Sequence, residues 1–184
     1  MQEQLSTLVT SLEAAQARLR SLSDRVSDGQ WSRQPAADAW SAADCVEHLN
    51  LTSRAYVPLL RDAIASARQL PPSQTRRYSM DFVGRFMAFM IRPMKNIGKF
   101  KIGRVKTTGK FTPRGGQSRE QLLSEFVRLQ SELISLVRSA DGLPIDRVKI
   151  QSPFGSMQYN AFSALAIVAQ HEHRHLQQAE EAAR

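Results

Sequence analysis

The chain has 184 residues, enough for one domain with a substantial core. Apolar residues make up 42% and charged residues 23%, which excludes wholesale disorder. No apolar run approaches the roughly 20 residues needed to cross a bilayer. The net charge of +8 is unevenly placed. Residues 76–119 hold twelve Lys/Arg and one acid, Asp81, whereas the remainder holds thirteen Lys/Arg and sixteen acids. The basicity belongs to one insertion-like segment, so the pI of 10.2 does not mark a nucleic-acid-binding domain. The polar start, Met1-Gln2-Glu3-Gln4, and the lone Cys45, which has no internal disulfide partner, point to a reduced, cytoplasmic compartment.

In chain order, Leu5, Leu8, Val9, Leu12, Ala15, Leu19, Leu22 and Val26 repeat at three- and four-residue steps and predict a long amphipathic helix ending near Gly29. A loop is expected from Gln30 to Trp40. Ser41 and Asp44 form a capping-box pattern for a second helix, with Trp40 placed to staple onto Cys45. This helix carries Leu49, Tyr56, Leu59, Leu60 and Ile64, with Pro58 as a kink and Pro71-Pro72 as the stop. Its His48 should lie near one end of the bundle.

Phe82 to Ile91 is almost wholly apolar and predicts a short helix. Lys95 to Gly116 reads as an extended basic loop broken by Gly98, Gly103, Gly109 and Pro113. Ser118 and Gln121 cap a third long helix with its stripe at Leu122, Phe126, Leu129, Leu133, Leu136 and Val137, stopped by Asp141-Gly142 and Pro144. The last helix is expected from Ser156–Gln158 to about Glu181. No segment has a convincing strand period and there is no internal repeat. The pattern is an all-α four-helix bundle, a single domain over residues 1–184, with a long basic excursion between the second and third long helices.

The candidate chemistry lies in His48 and in His171-Glu172-His173-Arg174-His175. At about 100° per residue, His175 falls about 40° from His171, inside the arc of Ala161, Ala164, Leu165 and Val168. His173 falls about 200° away and reads as a surface residue. Two imidazoles one turn apart can grip one metal ion, and His48 can bring a third nitrogen from a neighbouring helix. Three histidine ligands leave a coordination position open, as in catalytic sites.

These stretches resemble the DinB/YfiT-like superfamily. The resemblance is carried by Trp40-Ser41-Ala42-Ala43-Asp44-Cys45-Val46-Glu47-His48-Leu49 and by His171-Glu172-His173-Arg174-His175-Leu176-Gln177-Gln178. Lys106-Thr107-Thr108-Gly109-Lys110-Phe111-Thr112-Pro113 is similar to a basic family stretch, with Gly109 where proline is frequent. The resemblance covers nearly the whole chain. It implies a four-helix bundle whose His48, His171 and His175 hold one divalent ion (zinc, nickel, iron or manganese). It also implies a homodimer, a small-molecule substrate, and thiol S-transferase or isomerase chemistry with a low-molecular-weight thiol. Asn160-Ala161-Phe162 departs from an acidic residue followed by Trp in many relatives, so the substrate class does not carry over.

Other residues have blander readings. Cys45 reads as a small buried apolar residue rather than a thiolate ligand. Glu47 diverges from His48 by about 100° and reads as solvated or supporting rather than as a general base. Arg174 stays open between an anion anchor or cross-bundle pair and a surface charge. For residues 76–119 the favoured reading is a lid or dimer contact. An anionic membrane surface is a less favoured partner and nucleic acid an unfavoured one. A metal-stabilised bundle without catalysis is the alternative to the enzyme.

Overall fold

The computed structural model describes residues 1–71, 77–91 and 109–184. Six helices and one small hairpin appear among them: α1 (Glu3–Arg25), α2 (Asp28–Ser32), α3 (Ala42–Ala67), α4 (Phe82–Met90), α5 (Arg119–Ser139), β1 (Lys149–Gln151), β2 (Gln158–Asn160) and α6 (Ala161–Ala182). The architecture is all-α, as expected. Residues 95–108 of the expected basic loop lie outside the described residues, as does Pro72.

The long helices α1, α3, α5 and α6 form the bundle. Each of α1 and α3 packs against both α5 and α6, so α1 and α3 occupy one diagonal. The expected apolar stripes are the buried ones: Leu5, Val9, Leu12, Leu19 and Leu22 on α1, and Leu122, Phe126, Leu129, Leu133 and Val137 on α5. Helix α3 runs unbroken through Pro58.

Two apolar clusters share the interior. One joins Leu5, Val9 and Leu12 to Tyr56, Leu60, Leu133, Leu165 and Val168. The other joins Ala15, Leu19 and Leu22 to Cys45, Leu49, Leu122, Phe126 and Leu176. Along every long helix the residues of one cluster give way to those of the other. At that changeover lie buried polar side chains: His48 and Thr52 on α3, Gln130 on α5, His171 and Glu172 on α6. His48, in the second turn of α3, is buried in this polar layer.

Three local expectations are corrected. Helix α1 stops at Arg25 rather than near Gly29, and Ser27 with Gln30 forms a second capping box that starts the short α2, which runs into the expected loop. Gln158–Asn160 is a strand, paired antiparallel with Lys149–Gln151, so α6 begins at Ala161. Strands of three residues are too short to show a period of two. Lys110 and Phe111, expected in an extended loop, lie in a single 3-10 turn, Gly109–Phe111, with Phe111 buried.

Asn160 fixes the start of α6. Its Oδ1 accepts the Ser163 N–H at 2.8 Å, and its Nδ2 donates to Ser79 O at 2.8 Å and Asp146 O at 3.1 Å. Helix α4 lies close on α6: a Cβ at Gly84 would come within 2.2 Å of Ser163 Oγ. Its inner residues Val83, Met87, Ala88 and Ile91 pack on the core, while Phe82 and Phe86 remain exposed.

A three-histidine candidate metal centre

The Ser41–Asp44 capping box sets where α3 begins. Ser41 Oγ accepts the Asp44 N–H at 3.1 Å and Asp44 Oδ2 accepts the Ser41 N–H at 2.9 Å. One turn further on, His48 is 2% exposed and faces α6. His171 and His175 lie one turn apart on the facing side of α6. The structure brings His48, His171 and His175 into one group, with one nitrogen of each within 4.8 Å of the others.

The nitrogens are set for ligation. His48 Nδ1–H donates to the Phe111 carbonyl at 2.8 Å, and His175 Nδ1–H donates to Gln178 Oε1 at 3.0 Å. Each bond fixes the tautomer that leaves Nε2 unprotonated, as metal-bound histidines are oriented, and in the metal-free protein His48 Nε2 accepts a hydrogen bond from His171 Nε2. His48 Nε2 and His171 Nε2 stand 3.3 Å apart. Two nitrogens bound tetrahedrally to zinc at about 2.0–2.1 Å are separated by roughly the same distance. His171 Nδ1 is buried with no hydrogen-bond partner. A nitrogen-only donor set with anchored tautomers fits a borderline divalent ion.

Burial pushes all three histidines toward the neutral, ligand-competent form. For His48 desolvation outweighs the opposing bond to Phe111. For His171 desolvation is joined by His175, His48 and Arg174. His175 is brought down to about 3 by burial, then by His48 and Arg174, with Gln178 opposing.

An aromatic wall surrounds the group. The Trp40 ring centre lies 4.8 Å from that of His48 and 5.8 Å from that of His175. Phe154, in the hairpin turn, lies 4.3 Å from Phe111 and 6.2 Å from His171. Behind Phe154, the Tyr56 and Tyr159 hydroxyls share a buried hydrogen bond.

The remaining expectations resolve as follows. His173 points away from the group and is half-buried, with its Nε2 reaching Ser11 O at 3.0 Å and Ser11 Oγ at 3.1 Å on α1. Cys45 is fully buried, and burial followed by Asp44 pushes its thiol far above the usual range, so it is inert packing. Glu47 is not solvated; it is 5% exposed and accepts backbone N–H groups from Arg114 and Gly115. Arg174 is half-buried and donates to Met90 O at 3.1 Å, tying α6 to the end of α4.

Several functional neighbours went unread in the sequence. Gln178, three residues after His175, was readable from helix spacing alone. Phe111 and Phe154 come from distant loops and left no local signal. Glu172 falls about 100° from His171, inside the apolar arc, although its charge gave no sign of burial; it is 1% exposed and accepts from Gln130 Nε2 at 2.7 Å.

A long-helix bundle holding three facing, neutral imidazoles defines the class: a helical protein with a donor group that can hold a metal ion. The DinB superfamily family model matches residues 11–179, and the chain belongs to that superfamily. No curated protein and no solved structure matches the chain.

Proposed function

We propose that the protein is a metal-dependent enzyme acting on a small molecule. In this reading His48, His171 and His175 hold one divalent ion (zinc, nickel, iron or manganese), and a low-molecular-weight thiol is the co-substrate. The carrying observation is the convergence of three neutral imidazoles, two with their Nδ1–H groups tied to oxygen acceptors. A bound divalent ion would supply Lewis acidity at its open position, lowering the pKa of a thiol or water there. The chain's own residues do the rest. Phe111 O and Gln178 Oε1 hold two imidazoles in the ligating tautomer. Trp40, Phe111 and Phe154 present apolar faces that restrict water and favour a substrate with an apolar portion. The basic segment 76–119 complements an anionic thiol. In thiol S-transfer, a sulfur–carbon bond forms as the leaving group departs and the thiol proton passes to solvent.

The test has two arms. Elemental analysis of tag-free protein and of His48→Ala, His171→Ala and His175→Ala should show metal lost in each variant. Full retention in all three would end the assignment. Assays with bacillithiol, mycothiol and glutathione against an electrophile should show thiol consumption that chelation abolishes.

A second reading, a non-enzymatic metal-stabilised dimeric bundle, is favoured by the outer face of α4, where Phe82 is 85% and Phe86 53% exposed. It predicts a homodimer by light scattering that Phe82→Ser with Phe86→Ser dissociates, and no thiol transfer. No helix among the described residues is long and apolar enough to cross a membrane. A cytoplasmic location fits either reading.

A further inference from the structure

Glu47 precedes the first histidine of the group yet is not one of its members. Its two carboxylate oxygens accept the backbone N–H groups of Arg114 and Gly115, each at 3.0 Å. A carboxylate removed from water needs such donors, and two charge-assisted bonds of this kind fix a backbone firmly. Gly115, at φ 72°, occupies the left-handed region that suits glycine.

The same loop carries Phe111, whose carbonyl accepts the His48 Nδ1–H at 2.8 Å. Glu47 and His48 are adjacent on α3, so one turn of that helix grips one loop at two points. The carboxylate holds residues 114 and 115, and the imidazole holds residue 111. The bonds differ in what they need. Glu47 anchors the loop by itself, whereas the His48 bond survives only if Phe111 O stays in place. A loop shift of about 1 Å takes that bond beyond hydrogen-bond range. His48 would then lose the partner that fixes its tautomer, and the proton could move to Nε2, the nitrogen facing His171 at 3.3 Å.

We propose that Glu47 is a positioning residue. By pinning Arg114 and Gly115, it keeps the Phe111 carbonyl on His48 Nδ1 and so keeps His48 Nε2 unprotonated toward the other two histidines. The effect on metal binding rests on the reading of the histidines given above. The effect on the His48 tautomer stands without it.

Metal-free protein labelled with ¹⁵N reads the tautomer directly. Wild type should show His48 protonated at Nδ1. Glu47→Ala should show a mixture with the Nε2–H form, and Glu47→Gln, which keeps one acceptor oxygen, an intermediate state. Gly115→Ala, which strains the loop from its own side, should act as Glu47→Ala does. Leu133→Ala, in the core of α5, is the control for general loss of stability; it should lower the melting temperature but leave His48 unchanged. Cobalt(II) titration provides the second arm. The Glu47 variants should bind about 10–100-fold more weakly, with an altered visible spectrum, while Leu133→Ala binds as wild type. Wild-type His48 signals in Glu47→Ala would overturn the proposal, as would an equal change in Leu133→Ala. If wild-type protein binds no cobalt, the metal reading fails and the tautomer arm alone decides the role of Glu47.

Discussion

Replacing Glu172 with Gln should stabilise the metal-free protein, and the gain should grow with pH. Glu172 is 1% exposed on α6. Its Oε2 accepts Gln130 Nε2 at 2.7 Å, but its Oε1 and Gln130 Oε1 are both buried without partners. Burial, only partly offset by Gln130, raises the carboxyl from 4.5 to about 8. The folded protein therefore keeps a proton that the unfolded chain releases. Between those two values the native state binds more protons, so this group's contribution is full below pH 4.5 and is lost as pH rises toward 8. Each unit of that window costs about 1.4 kcal/mol, so the loss at pH 7 is at most about 3.5 kcal/mol. Glutamine keeps the shape and has no proton to lose, and its amide can pair with the partnerless Gln130 Oε1. Urea unfolding of wild type and Glu172→Gln at half-unit steps from pH 4.5 to 8.5 measures the difference. The expected curve starts near zero, rises through neutrality and levels off near pH 8. A flat difference, or a loss that grows with pH, would refute the burial argument.

The histidines give the opposite slope. His171 and His175 are held neutral in the fold by burial and by nearby positive charge. The unfolded chain binds more protons below about pH 6.5, so stability falls on acidification there, by up to about 1.4 kcal/mol per pH unit for each histidine. Glu172 opposes this slope from pH 4.5 and acts alone above pH 6.5, so metal-free stability should peak near pH 6.5, and His175→Gln should flatten the acid limb in thermal melts. Gly84→Ala should push α4 off α6, because the new methyl would overlap Ser163 Oγ; a loss of about 1–3 kcal/mol is expected in chemical unfolding. Asn160→Ala removes the α6 cap and two ties to the backbone at Ser79 and Asp146, and should cost about 2 kcal/mol or more by the same measurement.

The four long helices were legible because their stripes repeat at helical spacing and three of their boundaries carry Ser-led caps or glycine stops. The histidine group was legible for the same reason: His171 and His175 share a helix face, and His48 occupies the core side of another helix. What sequence missed depends on contacts between distant segments. His173 has the polarity of a surface residue, yet α1 passes close enough for Ser11 to accept it. Glu172 and Gln130 fall on or beside the apolar arcs of their own helices, but a carboxyl and an amide there give no sign of burial until α1, α5 and α6 are seen to meet around them. Phe111 and Phe154 reach the histidines from loops whose paths no local pattern sets. The hairpin at 149–160 is held by two three-residue strands and by Asn160, too little to register as a strand signal.

The most direct test of the central claim is the metal content of protein purified without a polyhistidine tag, measured together with the three single His→Ala variants. The account predicts close to one divalent ion per wild-type chain and little or none in His48→Ala, His171→Ala or His175→Ala. A wild-type chain that takes up no ion when offered zinc, nickel, iron or manganese would contradict it. So would variants that all retain the wild-type content.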